Sequence, residues 1–128
     1  LLPGGTGFAT DVCVPISRLA ECVEDTIADI AAHELTAPIL GHVGDGNFHV
    51  LPLAMPDDIE MQAKIGAFSS RLTKRAIALG GTCTGEHGIG QGKTAYLRAE
   101  MGGSVDVMAD IKATFDPKHI LNPGKLFE

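Results

Sequence analysis

No run of apolar residues approaches the ~18 needed for a helix to cross a bilayer, so the sequence offers no candidate spanning helix. No basic run is present either. Ten Lys and Arg against sixteen Asp and Glu leave a net charge of −6, which argues against a nucleic-acid surface. Cysteine is scarce and unpatterned: Cys13, Cys22 and Cys83 are odd in number and lack CxxC spacing. They read as reduced thiols and small core residues of a cytoplasmic protein rather than as a disulfide frame, with peripheral association to an inner membrane left open. Internal repeats and low-complexity linkers are missing. So are an initiator methionine and a signal peptide: the chain opens on Leu1-Leu2-Pro3 and is expected to be a fragment of a longer protein.

What is present suffices for one domain with a real core, at 128 residues and 45% hydrophobic, and is short for two. Residues 11–15 alternate around Val12 and Val14 and predict a short strand, with Pro15 at its end because proline cannot donate to a ladder. Ser17 is a candidate cap for a helix reaching Glu34, with Leu19, Val23, Ile27 and Ile30 on its buried stripe. Residues 38–44 and 47–54 read as hairpin strands. Asp57 and Glu60 have capping-box spacing at the start of a long helix that buries Ile65, Phe68, Leu72 and Leu79, and Gly80-Gly81 stops it. Residues 93–101 predict a short helix. Ser104 is the expected cap of a last one, with Met108, Ile111 and Phe115 inward and Asp116-Pro117 at its end. Residues 119–128 read as an irregular tail. The order β-α-β-β-α, one strand short, suits an α+β fold with a ferredoxin-like split βαβ unit: an antiparallel sheet with helices on one face, followed by C-terminal helices and a tail.

The stretch GHVGDGNFHV separates His42 from His49 by six residues. If Asp45-Gly46 forms a two-residue type I′ turn, His42 faces His49 across the strands, with Cβ atoms roughly 5 Å apart. Two imidazoles held that way are half a metal site, although a Gly-Asp-Gly-Asn turn is a sound hairpin without any function. Turn geometry is also sufficient reason for Asp45, and Asn47 could hold the loop or a ligand oxygen.

A second stretch, GGTCTGEHGIGQGK, has six glycines between positions 80 and 92, a costly concentration that makes sense where the chain turns sharply or approaches a ligand. It supplies Glu86 and His87. Two His and one carboxylate bind a divalent metal and leave positions open, as catalysis requires. Adjacent residues point apart, so one of the pair can ligate while the other faces substrate. Glu86 as ligand leaves His87 as general base, a role that suits imidazole near neutral pH. Spacing alone equally allows the reverse, or a plain surface pair. The same stretch is not a Walker A loop: the position that must be its first glycine is His87, and no apolar strand precedes it. Lys93 is expected to be a surface charge at a helix start, and His33 and His119 to be solvated.

The segments TDVCVPISRL, GHVGDGNFH, GTCTGEHGIG and FDPKHILNPGK, in this order, resemble the C-terminal part of FAD-linked oxidases of the vanillyl-alcohol oxidase type. The resemblance spans residues 9–127 and is strongest to FAD-dependent D-lactate dehydrogenases, extending to relatives that act on glycolate and D-2-hydroxyglutarate. GHxGDGNxH, GEHGxG and NPGK together make a specific combination. The resemblance implies that residues 1–128 are most of the second half of the cap, or substrate, domain with its closing tail. The FAD-binding domain, N-terminal in that family, would be the principal partner. It implies His42, His49 and Glu86 as ligands of zinc or manganese, His87 as the base that takes the substrate hydroxyl proton, and Asn122 as a residue approaching the flavin. FAD and a divalent metal are the implied cofactors, and a small 2-hydroxy acid the implied substrate. The electron acceptor is open, and so is a homo-oligomer.

Two departures bear on the substrate. Relatives acting on D-2-hydroxyglutarate have a lysine where Ala9 stands and an asparagine where Leu51 stands, so the resemblance favours D-lactate. The reading from another class is a non-catalytic metal- or partner-binding module whose hairpin histidines are structural.

Overall fold

The computed structural model describes residues 2–127; Leu1 and Glu128, the two ends of the expected fragment, lie outside them. The chain divides into two compact units, one ending at Glu86 and one beginning at His87. The first contains β1 (Thr6–Gly7), β2 (Val12–Cys13), α1 (Ile16–Ala32), β3 (Ile39–His42), β4 (Asn47–Val50), β5 (Leu53–Ala54) and α2 (Ile59–Ala78). The three-stranded sheet has the order β2-β4-β3, antiparallel at both junctions. β4 thus lies between two strands that α1 connects, which is the split βαβ arrangement of an α+β fold.

The expected strand over residues 47–54 breaks at Leu51-Pro52. Proline has no N–H for the ladder, and beyond it β5 leaves the sheet to pair with β1, Thr6 opposite Ala54. That second, two-stranded sheet had no signal in the sequence reading.

Side chains alternate along a strand. Val12, Phe48 and Val50 therefore share one face and pack with Cys22 of α1 and Ile65, Phe68, Leu72 and Ala76 of α2. Asn47, opposite Cys13 and His42, falls on the other face together with His49. The hydrophobic core fixes which way β4 faces, and so fixes where the histidines emerge.

The helices depart from expectation in their details. Pro15, not Ser17, precedes the first turn of α1, and no side chain caps it. Leu19, Val23 and Ile30 of the expected stripe pack against the core, with Cys22, Thr26 and Asp29 buried beside them, whereas Ile27 is exposed. The cause is electrostatic: Asp29 turns inward to meet Arg71 and Arg75 of α2, and a buried carboxylate must be paired. Asp58, not Asp57, caps α2, accepting the Met61 N–H at 2.9 Å. Leu79 is half-buried rather than core. Gly80 closes α2 with φ +77°. Its N–H donates to the Ile77 carbonyl and that of Gly81 to the Ala76 carbonyl, the two bonds of a Schellman motif.

The second unit contains α3 (Thr94–Met101) and α4 (Ser104–Phe115). Gly103 precedes α4, and Ser104 makes no cap bond. Val105 is buried, but Ile111 and Phe115 are exposed, contrary to the expected inward stripe. A unit this small has too little chain to cover both faces of a helix. Asp116 ends α4 from a buried position. It pairs with Lys112 and accepts the N–H groups of Ile120 and Leu121, which turns the tail back. Those partners, Lys112 foremost, lower its carboxyl to about 2.

Candidate metal centre

The hairpin does not turn on two residues. Val43–Asp45 form a single 3-10 turn, and Gly46 follows in the left-handed region at φ +75°. His42 therefore stands opposite Asn47, and Leu40 opposite His49, a register two residues away from the expected one. The chain leaving β2 sets this geometry. The Val14 N–H donates to the Gly46 carbonyl at 3.0 Å. A Cβ at Gly46 would lie 2.0 Å from the Val14 carbonyl oxygen. A slip of two residues keeps every side chain on its original face. His42 and His49 consequently remain neighbours, now diagonal, with ring centroids 6.1 Å apart and planes at 88°.

Glu86 reaches the pair from the glycine-rich loop. The loop is tied to β2 by reciprocal backbone bonds between Cys13 and Thr82. Its glutamate carboxylate lies 3.3 Å from His49 Nε2 and 3.9 Å from His42 Nε2. One ligand atom from each of His42, His49 and Glu86 lies within 4.8 Å of the other two. Three of the five site residues expected from sequence are thus brought together, and Asp45 is not in the group. Asp45 serves the turn, its carbonyl facing the Cys13 thiol at 3.2 Å. Burial, then Asp11 and Asp45, push that thiol up. His87 and Asn122 belong to the second unit. His87 is exposed at its start, and Asn122 sits among its last turns with φ +47°. His33, expected to be solvated, is exposed but not unaccompanied: its Nδ1 lies 2.9 Å from Asp29.

The three ligands differ in how firmly they are held. The His49 side chain is 13% exposed and its Nδ1 lies 2.9 Å from the Thr10 carbonyl. A carbonyl can only accept, so Nδ1 carries the hydrogen and a neutral His49 aims the Nε2 lone pair at Glu86. Two acceptors then face each other at 3.3 Å, an arrangement that a cation between them, proton or metal ion, relieves. Fixing one ring nitrogen through a carbonyl is how protein sites set the tautomer of a ligating histidine. His42 is freer, with 64% of its side chain exposed.

Asp11 is the residue the sequence reading missed, an acidic side chain at the head of an apolar strand. It is 4% exposed. Its Oδ1 accepts Asn47 Nδ2 at 2.9 Å, and its Oδ2 accepts Thr84 Oγ1 at 3.2 Å and the Glu86 N–H at 3.0 Å. Asn47 Nδ2 also donates to the Val12 carbonyl, which fixes the amide and leaves Asn47 Oδ1 buried with no hydrogen-bond partner among the described residues. Gly85 is pressed against this pair: a Cβ there would lie 1.8 Å from Asn47 Nδ2 and 2.8 Å from Asp11 Oδ1.

Two imidazole nitrogens and a carboxylate are the donor set of an open divalent site. Bonds of roughly 2.1 Å put two ligands of one ion no more than about 4.2 Å apart. The two His–Glu86 pairs, at 3.3 and 3.9 Å, already lie inside that limit, and all three ligand atoms lie within 4.8 Å of one another. The residues present fit a metal ion.

Residues 1–126 match the model of the C-terminal domain of FAD linked oxidases, and the chain belongs to that family. It is similar to a protein of Danio rerio named probable D-lactate dehydrogenase, mitochondrial, at 50% identity over 100% of this chain and 26% of that protein. A D-lactate dehydrogenase [cytochrome], mitochondrial, of Arabidopsis thaliana is 40% identical over 98% of this chain and 22% of its own length. Glycolate oxidase subunit GlcD of Bacillus subtilis is 42% identical over 95% of this chain and 26% of its own. The chain spans about a quarter of the length of these curated relatives.

Proposed function

We propose that the chain is the substrate-domain part of an FAD-dependent, metal-assisted D-2-hydroxy-acid dehydrogenase, and that D-lactate is its substrate and pyruvate its product. The observation that carries the reading is the convergence of His42, His49 and Glu86 in a chain of the FAD-linked oxidase family. Relatives named for D-lactate, and alanine at position 9, favour a monocarboxylate. The GlcD relative makes glycolate the second candidate.

In this reading His42, His49 and Glu86 would hold a divalent ion, zinc or manganese, which when bound would lower the pKa of a coordinated hydroxyl. When bound, FAD would supply the redox chemistry, as acceptor of the hydride from C2. The chain supplies the rest. His87 takes the proton of the substrate hydroxyl, so that one proton and one hydride leave C2–OH and a ketone remains. Asn122 is the residue that would approach the flavin. The Thr10 carbonyl keeps the His49 Nε2 lone pair aimed into the site.

The test is the metal content of the flavin-loaded holoenzyme, by elemental analysis, before and after His42→Ala combined with His49→Ala. Loss of the ion is expected, and unchanged metal sinks the proposal. Dye reduction by D-lactate without oxygen separates the dehydrogenase from a non-catalytic module and from a metal oxygenase using the same ligands.

A further inference from the structure

We propose that Asp11 is the positioning residue of the metal centre: its buried carboxylate locks the Glu86 loop against the histidine-bearing strand and so sets metal affinity. The inference rests on the metal reading above. Its basis is the division of labour between the two carboxylate oxygens. Oδ2 accepts the backbone N–H of Glu86 itself, at 3.0 Å, and the Thr84 hydroxyl at 3.2 Å. Oδ1 accepts the amide of Asn47, at 2.9 Å, from the β4 residue opposite His42 and two before His49. One side chain thus grips both segments that carry ligands.

The geometry leaves little play. Thr84 and Glu86 flank Gly85, where even a methyl group would overlap Asn47 Nδ2 at 1.8 Å. The loop is therefore held close to Asn47 and Asp11 at Gly85, with the Glu86 backbone anchored through its N–H. Asp11 stands 3.9 Å from His49 Nδ1, which Thr10, its neighbour in the chain, holds through the main-chain carbonyl. Residues 10 and 11 between them orient His49 and Glu86, the two ligands that stand 3.3 Å apart. Partners of this kind typically change metal affinity about 10–100-fold when removed.

Asp11→Asn tests the proposal. It keeps the shape but replaces one oxygen with a donor, so whichever way the amide turns it cannot accept from Asn47 on one side and from the Glu86 N–H and Thr84 hydroxyl on the other. Zinc(II) is titrated into the metal-stripped, flavin-loaded holoenzyme against a chromophoric chelator, and folding is monitored by thermal melting. Asp11→Asn is expected to weaken zinc binding by about 10-fold or more. Turnover should return toward the wild-type value at saturating zinc, which a general loss of folded protein would not allow. Zinc affinity equal to wild type in folded Asp11→Asn overturns the proposal. If that variant does not fold, Thr84→Val, which removes one donor to Oδ2, is expected to weaken zinc by roughly threefold or more, and an unchanged affinity overturns it equally. His42→Ala combined with His49→Ala, run alongside, separates the two readings. If it retains zinc, the metal centre itself is wrong. If it loses zinc while the Asp11 and Thr84 variants do not, only the positioning role fails.

Discussion

Arg71 meets Asp29 edge-on between α1 and α2, with Nη2 2.7 Å from Oδ1 and Nε 3.0 Å from Oδ2. Arg75 adds a further contact at 3.0 Å, and its Nη1 donates to the Thr26 hydroxyl at 3.1 Å. The Asp29 side chain is only 6% exposed, while those of Arg71 and Arg75 are 37% and 20% exposed. Asp29→Ala is expected to cost about 2 kcal/mol, in the range of hydrogen bonds to charged groups. Both arginines can turn to water, so the loss stays below that of a fully buried pair. Chemical denaturation against wild type measures it. A cost near zero would show that the clamp contributes only geometry.

The same clamp gives an acid dependence. Hydrogen bonding from Arg71 first, opposed by burial and reinforced by Arg75, holds the Asp29 carboxyl below the usual range. Asp116 is held at about 2, chiefly by Lys112. A carboxyl lowered by folding stabilises fully above its unfolded value, near ~3.9. That contribution is lost as pH falls through the folded value. Acid unfolding should therefore steepen between about pH 4 and 2, and Asp29→Asn should flatten that limb while leaving the neutral plateau merely lower. Circular dichroism during an acid titration reads it directly.

His42 and His49 should not be equivalent. His49 is nearly enclosed and its tautomer is set by Thr10, whereas most of His42 is in solvent. Metal affinity is expected to fall about 10-fold further in His49→Ala than in His42→Ala. Chelator competition on the two single variants decides, and equal losses would contradict the ranking.

Gly85→Ala should remove metal binding and cost at least about 2 kcal/mol by overpacking, because its Cβ has no space beside Asn47 and Asp11. Gly44→Ala is the control. A Cβ at Gly44 meets nothing within 4 Å, and Gly44 has no positive φ, so the change should stay within about 0.5 kcal/mol. Thermal melts and metal content of the pair make the comparison.

His87→Gln should reduce D-lactate turnover in the holoenzyme by about 100-fold or more, a general base's typical share, with metal content unchanged. Retained turnover would move the base elsewhere, and lost metal would make His87 a ligand.

Much of this was legible in the residues. Alternation around Val12 and Val14, the periodic Ile65, Phe68 and Leu72, and the glycine stop at Gly80 all report local physics, and each was read with its element correctly placed. Local signals also paired His42 with His49, but in the wrong register. The loop length depends on Val14 holding Gly46 from another strand, and no local pattern encodes that contact. The roles of Asp11 and Asp29 depend in the same way on distant partners. A lone aspartate looks solvated until the arginines, amides and backbone N–H groups that surround it are brought from tens of residues away. Periodicity alone puts Ile27 inward, but it is Asp29, paired with Arg71 and Arg75, that is buried.

β2 is an edge of the three-stranded sheet, and the Cys13–Thr82 bonds occupy that edge. The segment that covers it runs on directly to Glu86. Fraying at this edge would therefore loosen the segment that carries the glutamate. A ligand that holds Glu86 should slow hydrogen–deuterium exchange at the Cys13 and Thr82 amides, although neither residue would touch it. The edge becomes a remote reporter of occupancy, readable without following the reaction at all.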